Sequence, residues 1–206
     1  LFIKSFKVGS KMKSLYFVRH GKASLDGDDL NRGLTDEGSI QAEQLAGIIK
    51  KLIPEPSIIY SSPYKRAILS IEPYANSCNI SITTNVDLRE KKISNKPIDD
   101  IVKVRKTMWE DLNYRHTGGE TGVEVQERGM QVINEILSKM EDDSAALVTS
   151  HGNFIGLMIN TFKPGFRYNE WKNMSMPDIF RIDIEDNGNG TISHIDMSDV
   201  DSFTIS

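Results

Sequence analysis

Two short apolar runs in this chain stop in the same way. Leu15-Tyr16-Phe17-Val18 leads into Arg19-His20-Gly21, and Ala145-Ala146-Leu147-Val148-Thr149 leads into Ser150-His151-Gly152. Short apolar runs rich in strand-favouring residues read as buried strands. A glycine straight after the histidine lets the chain turn sharply and lets a ligand approach the backbone. Segments with helical spacing lie between these and further apolar runs, which constrains the chain to an α/β layered fold with a mostly parallel sheet. In open sheets of that kind ligands bind at the C-terminal strand edge. Arg19, His20 and His151 are expected there.

The remaining segments follow from local chemistry. Residues 24–33 are rich in Gly, Asp and Asn and read as a loop; Asp26, Asp28 and Asp29 miss the calcium-loop pattern and are expected to be solvated. Thr35 is a good N-cap, with Asp36 and Glu37 at the positive end of the helix that follows, and Pro54 stops that helix. A second strand, 57–60, ends in Ser61-Ser62-Pro63-Tyr64-Lys65-Arg66. Ser62 as cap and Pro63 at the first helical position are expected to start a helix that carries Arg66 in its first turns. A third strand, 80–83, leads to Leu88-Arg89-Glu90. Residues 90–122 form a long excursion with weak periodicity, the kind of insertion that covers a pocket. Residues 121–140 form the strongest helical pattern, and 153–162 a further helix. The last alternating runs flank Asp186-Asn187-Gly188-Asn189-Gly190 and read as a hairpin at a sheet edge. His116 is expected in a loop, and His194 on a strand, facing solvent or hydrogen-bonded.

Of 206 residues, 38% are hydrophobic and 26% charged, enough for one domain with a core. That domain is expected over residues 14–198, with 1–13 as an N-terminal extension set aside and 199–206 as a loose tail. A net charge of −4 argues against a nucleic-acid partner bound through a basic face. No apolar run approaches a membrane span. A single cysteine, Cys78, allows no intrachain disulfide and fits a reducing, cytoplasmic compartment. Nothing in the sequence signals an oligomeric state.

If the first four strands are parallel neighbours, Arg19, His20, Arg66, Glu90 and His151 converge. Two guanidiniums and two imidazoles suit a tetrahedral dianion, because Arg forks match phosphate oxygens. A carboxylate among them has proton transfer as its natural role. Ser62 is a possible phosphate contact, since helix N-termini favour anions. Lys22, Lys91 and Lys92 flank the expected pocket.

Arg19-His20-Gly21, the Ser-Ser-Pro-x-x-Arg segment ending at Arg66, Leu88-Arg89-Glu90 and Ser150-His151-Gly152 resemble the histidine phosphatase superfamily. Leu34-Thr35-x-x-Gly38-x-x-Gln41-Ala42 and Gly118-Gly119-Glu120 match its intervening pattern. Each element alone is weak; together, in order, they are specific. The resemblance implies a phosphoglycerate-mutase-like three-layer sandwich. It implies a metal-independent, cofactor-free hydrolysis of a phosphomonoester. His20 would be the nucleophile, with its other ring nitrogen donating to a backbone carbonyl or similar acceptor. Glu90 would be the proton donor, with Arg19, Arg66 and His151 around the phosphoryl group. Gly21, Lys22 and Ser62 join them as substrate-binding candidates. The implied partner is a small phosphorylated substrate, or a phosphoprotein. Lys22 stands where many relatives have an acid or Gln, and no Trp follows in the next ten residues, which favours a phosphatase over a phosphoglycerate-type mutase. A mutase and a non-catalytic phospho-ligand module remain the alternatives.

Overall fold

The computed structural model describes residues 11–197. The expected tail after 198 and most of the N-terminal extension lie outside them. The first strand, β1, runs Met12–Arg19, so it starts two residues before the domain boundary drawn at 14.

Among the described residues six strands form one sheet. Beyond β1 they are β2 (Ile58–Ser61), β3 (Ile82–Thr84), β4 (Ala145–Ser150), β5 (Asp178–Glu185) and β6 (Gly190–Ile195), in the order β3-β2-β4-β1-β5-β6. The first four strands are mutually parallel, as the apolar runs imply. β5 runs antiparallel to β1, and β6 closes the edge as the expected hairpin. The register pairs Arg19 with Ser150, so the two His-Gly ends lie side by side.

Six α-helices among the described residues cover the sheet: α1 (Asp36–Leu52), α2 (Lys65–Cys78), α3 (Ile101–Glu110), α4 (Gly122–Lys139), α5 (Gly152–Phe162) and α6 (Tyr168–Lys172). The fold is a three-layer α/β sandwich. Along β1 the faces alternate. Tyr16 and Val18 pack with Leu45 and Ile49 of α1 and Ile71 and Tyr74 of α2. Leu15 and Phe17 pack with Val132, Ile133 and Ile136 of α4 and Phe154 of α5. These side chains are nearly or fully buried, which is why β1 and β4 read as continuous apolar runs.

Thr35 caps α1 by accepting from the Gly38 amide, as its sequence suggests. The start of α2 differs from expectation. The helix begins at Lys65, two residues after Pro63, and its N-cap is Tyr64, with no side-chain cap. The Ser62 hydroxyl has another partner, which draws it off the capping role. α3 lies within the excursion over 90–122 and buries Met108 and Trp109. α6 is too short to leave a periodic signal.

Candidate active site

β1 and β4 deliver His20 and His151 to neighbouring positions. Their ring centroids are 5.0 Å apart, with planes inclined at 66°. Nδ1 of His20 lies 2.7 Å from the Gly21 carbonyl oxygen, and Nε2 lies 3.3 Å from Nε of Arg66. A carbonyl only accepts, so the bonding pattern assigns the proton to Nδ1 and leaves the Nε2 lone pair to accept from Arg66. Burial and the neighbouring Arg66 and Arg19 charges outweigh the Gly21 bond and push the His20 pKa down to about 3. His151 moves the same way, again through burial first and then through His20 and Arg66. Both imidazoles are therefore neutral at physiological pH.

Arg66, only 2% exposed, is held by its other nitrogens: Nη1 donates to the Asp29 carbonyl at 2.6 Å, and Nη2 pairs with the Asp29 carboxylate at 3.2 Å. Asp29 also pairs with Arg32 at 2.8 Å. It was expected to be merely solvated. An acid in a polar loop carries no local mark of a partner on a distant helix. Arg19 donates through Nη1 to the Met174 and Ser175 carbonyls, at 2.9 and 3.0 Å. Its Nε and the His151 Nδ1 are buried without a hydrogen-bond partner among the described residues. The other His151 nitrogen, Nε2, lies 2.8 Å from the Ser62 hydroxyl. That hydroxyl also accepts from the Tyr64 amide at 3.3 Å. Tyr64 packs edge-on to His151, with the Arg66 guanidinium 4.8 Å from its ring centre. Neither Tyr64 nor Ser70, whose hydroxyl accepts from the Gly21 amide at 2.9 Å, was anticipated.

Glu90 sits at the N-terminus of α5. Oε1 accepts from the Lys91 amide at 2.7 Å and the Phe154 amide at 3.1 Å; Oε2 accepts from the amide and side chain of Asn153, both at 3.2 Å. The carboxylate thus takes the positive end of the helix that begins just after His151. Lys22 turns elsewhere: its ammonium pairs with Glu37 on α1, and its amide donates to Gln41. Its side chain is thus paired away from the histidines. Arg89 bonds Asp87 and Glu120. His194 bonds the Asp178 carboxylate at 2.7 Å and stacks on Phe180, and His116 lies in a loop.

No group of three or more His, Cys, Asp or Glu side chains among the described residues is arranged to hold a metal. A hollow beside Asp29 is walled by Lys91, Lys92, Lys96 and Ile101 from the excursion. A larger one, about 640 Å³, lies between α1 and residues 175–177 and includes none of the cluster.

A family model for the histidine phosphatase superfamily (branch 1) matches residues 15–195. The chain belongs to this superfamily. This histidine phosphatase is 22% identical over 166 residues to the glucosyl-3-phosphoglycerate phosphatase of Mycolicibacterium vanbaalenii, covering 72% of this chain and 73% of that protein. Its fold matches a solved mycobacterial glucosyl-3-phosphoglycerate phosphatase with a TM-score of 0.73 at 19% identity, over 89% of this chain and 97% of that one. It also matches a phosphoglycerate mutase from Bacillus anthracis at 0.70 and 19% identity, over 93% and 96%. No helix among the described residues of this phosphatase is long and apolar enough to cross a membrane.

Proposed function

We propose that this phosphatase hydrolyses a small phosphomonoester through a phosphohistidine on His20. The observation that carries the reading is the bond between Nδ1 of His20 and the Gly21 carbonyl, because it fixes the tautomer whose Nε2 is a nucleophile. In the first step Glu90 enters as the carboxylic acid, the form that repulsion from the bound phosphate dianion favours; Nε2 attacks phosphorus, the ester P–O bond breaks, and the leaving oxygen takes the Glu90 proton. In the second, Glu90 as carboxylate takes a proton from water as that water attacks phosphorus. The P–N bond breaks, phosphate leaves and neutral His20 is restored. Arg66 stands at His20 Nε2, the unpartnered Arg19 Nε is a buried donor that a phosphoryl oxygen would satisfy, and the unpartnered His151 Nδ1 would do the same in the tautomer that carries its proton there. These cationic and neutral donors supply the charge stabilisation without a metal. The curated relative named as a phosphatase supports water as the final acceptor over a mutase's second hydroxyl.

The test is labelling with a ³²P-phosphomonoester in EDTA. Acid-labile label is expected on the wild type and not on His20→Ala, whose circular dichroism should match. Release of the label as inorganic phosphate is expected even with an acceptor alcohol present. Label retained by His20→Ala would remove His20 as nucleophile. Loss of wild-type label in EDTA, restored by a divalent ion, would overturn the metal-free chemistry, and label passed to the acceptor would make it a mutase. Absence of any label would leave a binding module.

A further inference from the structure

The stretch bearing Glu90 has no regular structure of its own beyond the 3-10 turn Val86–Leu88. What holds it is an ion pair outside the phosphate cluster. Arg128, on α4 and 8% exposed, donates through Nε to one Glu120 oxygen at 3.0 Å and through Nη2 to the other at 3.2 Å. Its Nη1 donates to two backbone carbonyls, Asp87 and Arg89, the latter at 3.1 Å. The same Glu120 carboxylate accepts from the Arg89 side chain at 2.7 Å and from the Lys92 amide at 2.9 Å. Residues 89 and 92 flank Glu90 and Lys91. Arg128 therefore grips the chain just before Glu90, and Glu120 grips it on both sides.

For stability alone such a pair is a poor choice, because desolvating two charges largely offsets their attraction, and apolar groups of similar volume often do as well. Apolar groups could not bond two carbonyls and one amide of a neighbouring irregular segment. The Glu90 carboxylate itself is received by the first turn of α5, so the pair holds the backbone around Glu90 while α5 holds its side chain. The segment is tied once more by the Leu88 carbonyl, which accepts from Ser150 at 2.6 Å.

We propose that Arg128 and Glu120 are positioning residues for proton transfer. They hold the Glu90 carboxyl where it can reach the leaving oxygen, and they take no part in binding phosphate. This rests on Glu90 as the proton donor. Displacement of a proton donor lowers rates only where the leaving group needs the proton.

The experiment is single-turnover formation of phospho-His20 by Arg128→Met in the full chain, on an alkyl phosphate and on a nitrophenyl phosphate. Inhibition by inorganic phosphate and the urea midpoint are measured alongside, with Glu90→Gln and the double variant. Glu90→Gln should lose on the order of 10²–10⁴ on the alkyl phosphate and far less on the nitrophenyl ester. Arg128→Met should lose about tenfold or more on the alkyl phosphate, with little change on the nitrophenyl ester and unchanged phosphate inhibition. In the Glu90→Gln background it should cost nothing further. Equal losses on both esters, weakened phosphate inhibition, or losses that multiply in the double variant would overturn the positioning role. If Arg128→Met does not fold, Glu120→Gln, which keeps the shape and loses the charge, is expected to give the same pattern and is judged by the same outcomes. A Glu90→Gln variant that ignores the leaving group would instead remove Glu90 as donor, and the proposal with it.

Discussion

His20 shows how burial and chemistry are linked at a single residue. An imidazole nitrogen is a nucleophile only while neutral, and burial among guanidiniums keeps His20 so. That has a stability cost in acid. The folded pKa, about 3, is depressed from 6.5, so between those values the unfolded chain binds a proton that the folded chain refuses. The contribution is fully present above pH 6.5, is lost as pH falls, and changes no further below about 3. By pH 4 the loss from this one residue is about 3 kcal/mol. Urea midpoints of the wild type should therefore fall more steeply between pH 7 and pH 4 than those of His20→Asn. Parallel pH profiles would mean that His20 already titrates normally in the folded state. His151 shifts in the same direction, so the variant should keep part of the acid sensitivity.

Among the elements, α1 sets the position of the loop after β1. A Cβ on Gly38 would lie 2.1 Å from the Lys22 carbonyl oxygen, and the Thr35 amide donates to that same oxygen at 3.0 Å. Two effects compete in Gly38→Ala. Helix propensity favours alanine by about 1 kcal/mol. The overlap is with backbone, which cannot rotate away, and overpacking of that kind costs about 1–3 kcal/mol. The overlap is expected to win, with a lower urea midpoint. Turnover should fall too, because the segment that shifts includes Gly21, the acceptor for His20 Nδ1. A raised midpoint with full activity would show that α1 can slide at no cost.

At the scale of the whole molecule, the two apolar layers share β1 and β4. Phe17 belongs to one layer and Leu45 to the other, and both are essentially fully buried. A sheet held from both faces has no means of losing one layer and keeping its strands ordered. Phe17→Ala should cost about 3–5 kcal/mol and Leu45→Ala about 2–5 kcal/mol. Each should lower one shared transition, with circular dichroism and tryptophan fluorescence coinciding. Separate transitions in either variant would show that the layers unfold independently.

Arg19, His20 and His151 lie at strand ends, where a buried apolar run followed by a polar triplet can be recognised from a few neighbours, and were legible for that reason, as were the alternation of strands with helices and the terminal hairpin. Arg66, on α2, and Glu90, past the turn Val86–Leu88, were legible from the Ser-Ser-Pro-x-x-Arg and Leu-Arg-Glu patterns instead. What holds those residues was not legible. Asp29 supports Arg66 across a separation of 37 residues, and Arg128 supports the Glu90 segment across about 40. In one dimension Asp29 resembles a solvated loop acid, and Arg128, among the glutamates of α4, a surface charge. The Ser62 hydroxyl was assigned to the helix beside it, when its partner was His151, 89 residues away. Local pattern determines which face of a strand or helix is apolar and where the element ends. Which buried charge meets which partner depends on how separate elements pack, and that was decided only when α2, α4 and the loops closed around the strand ends.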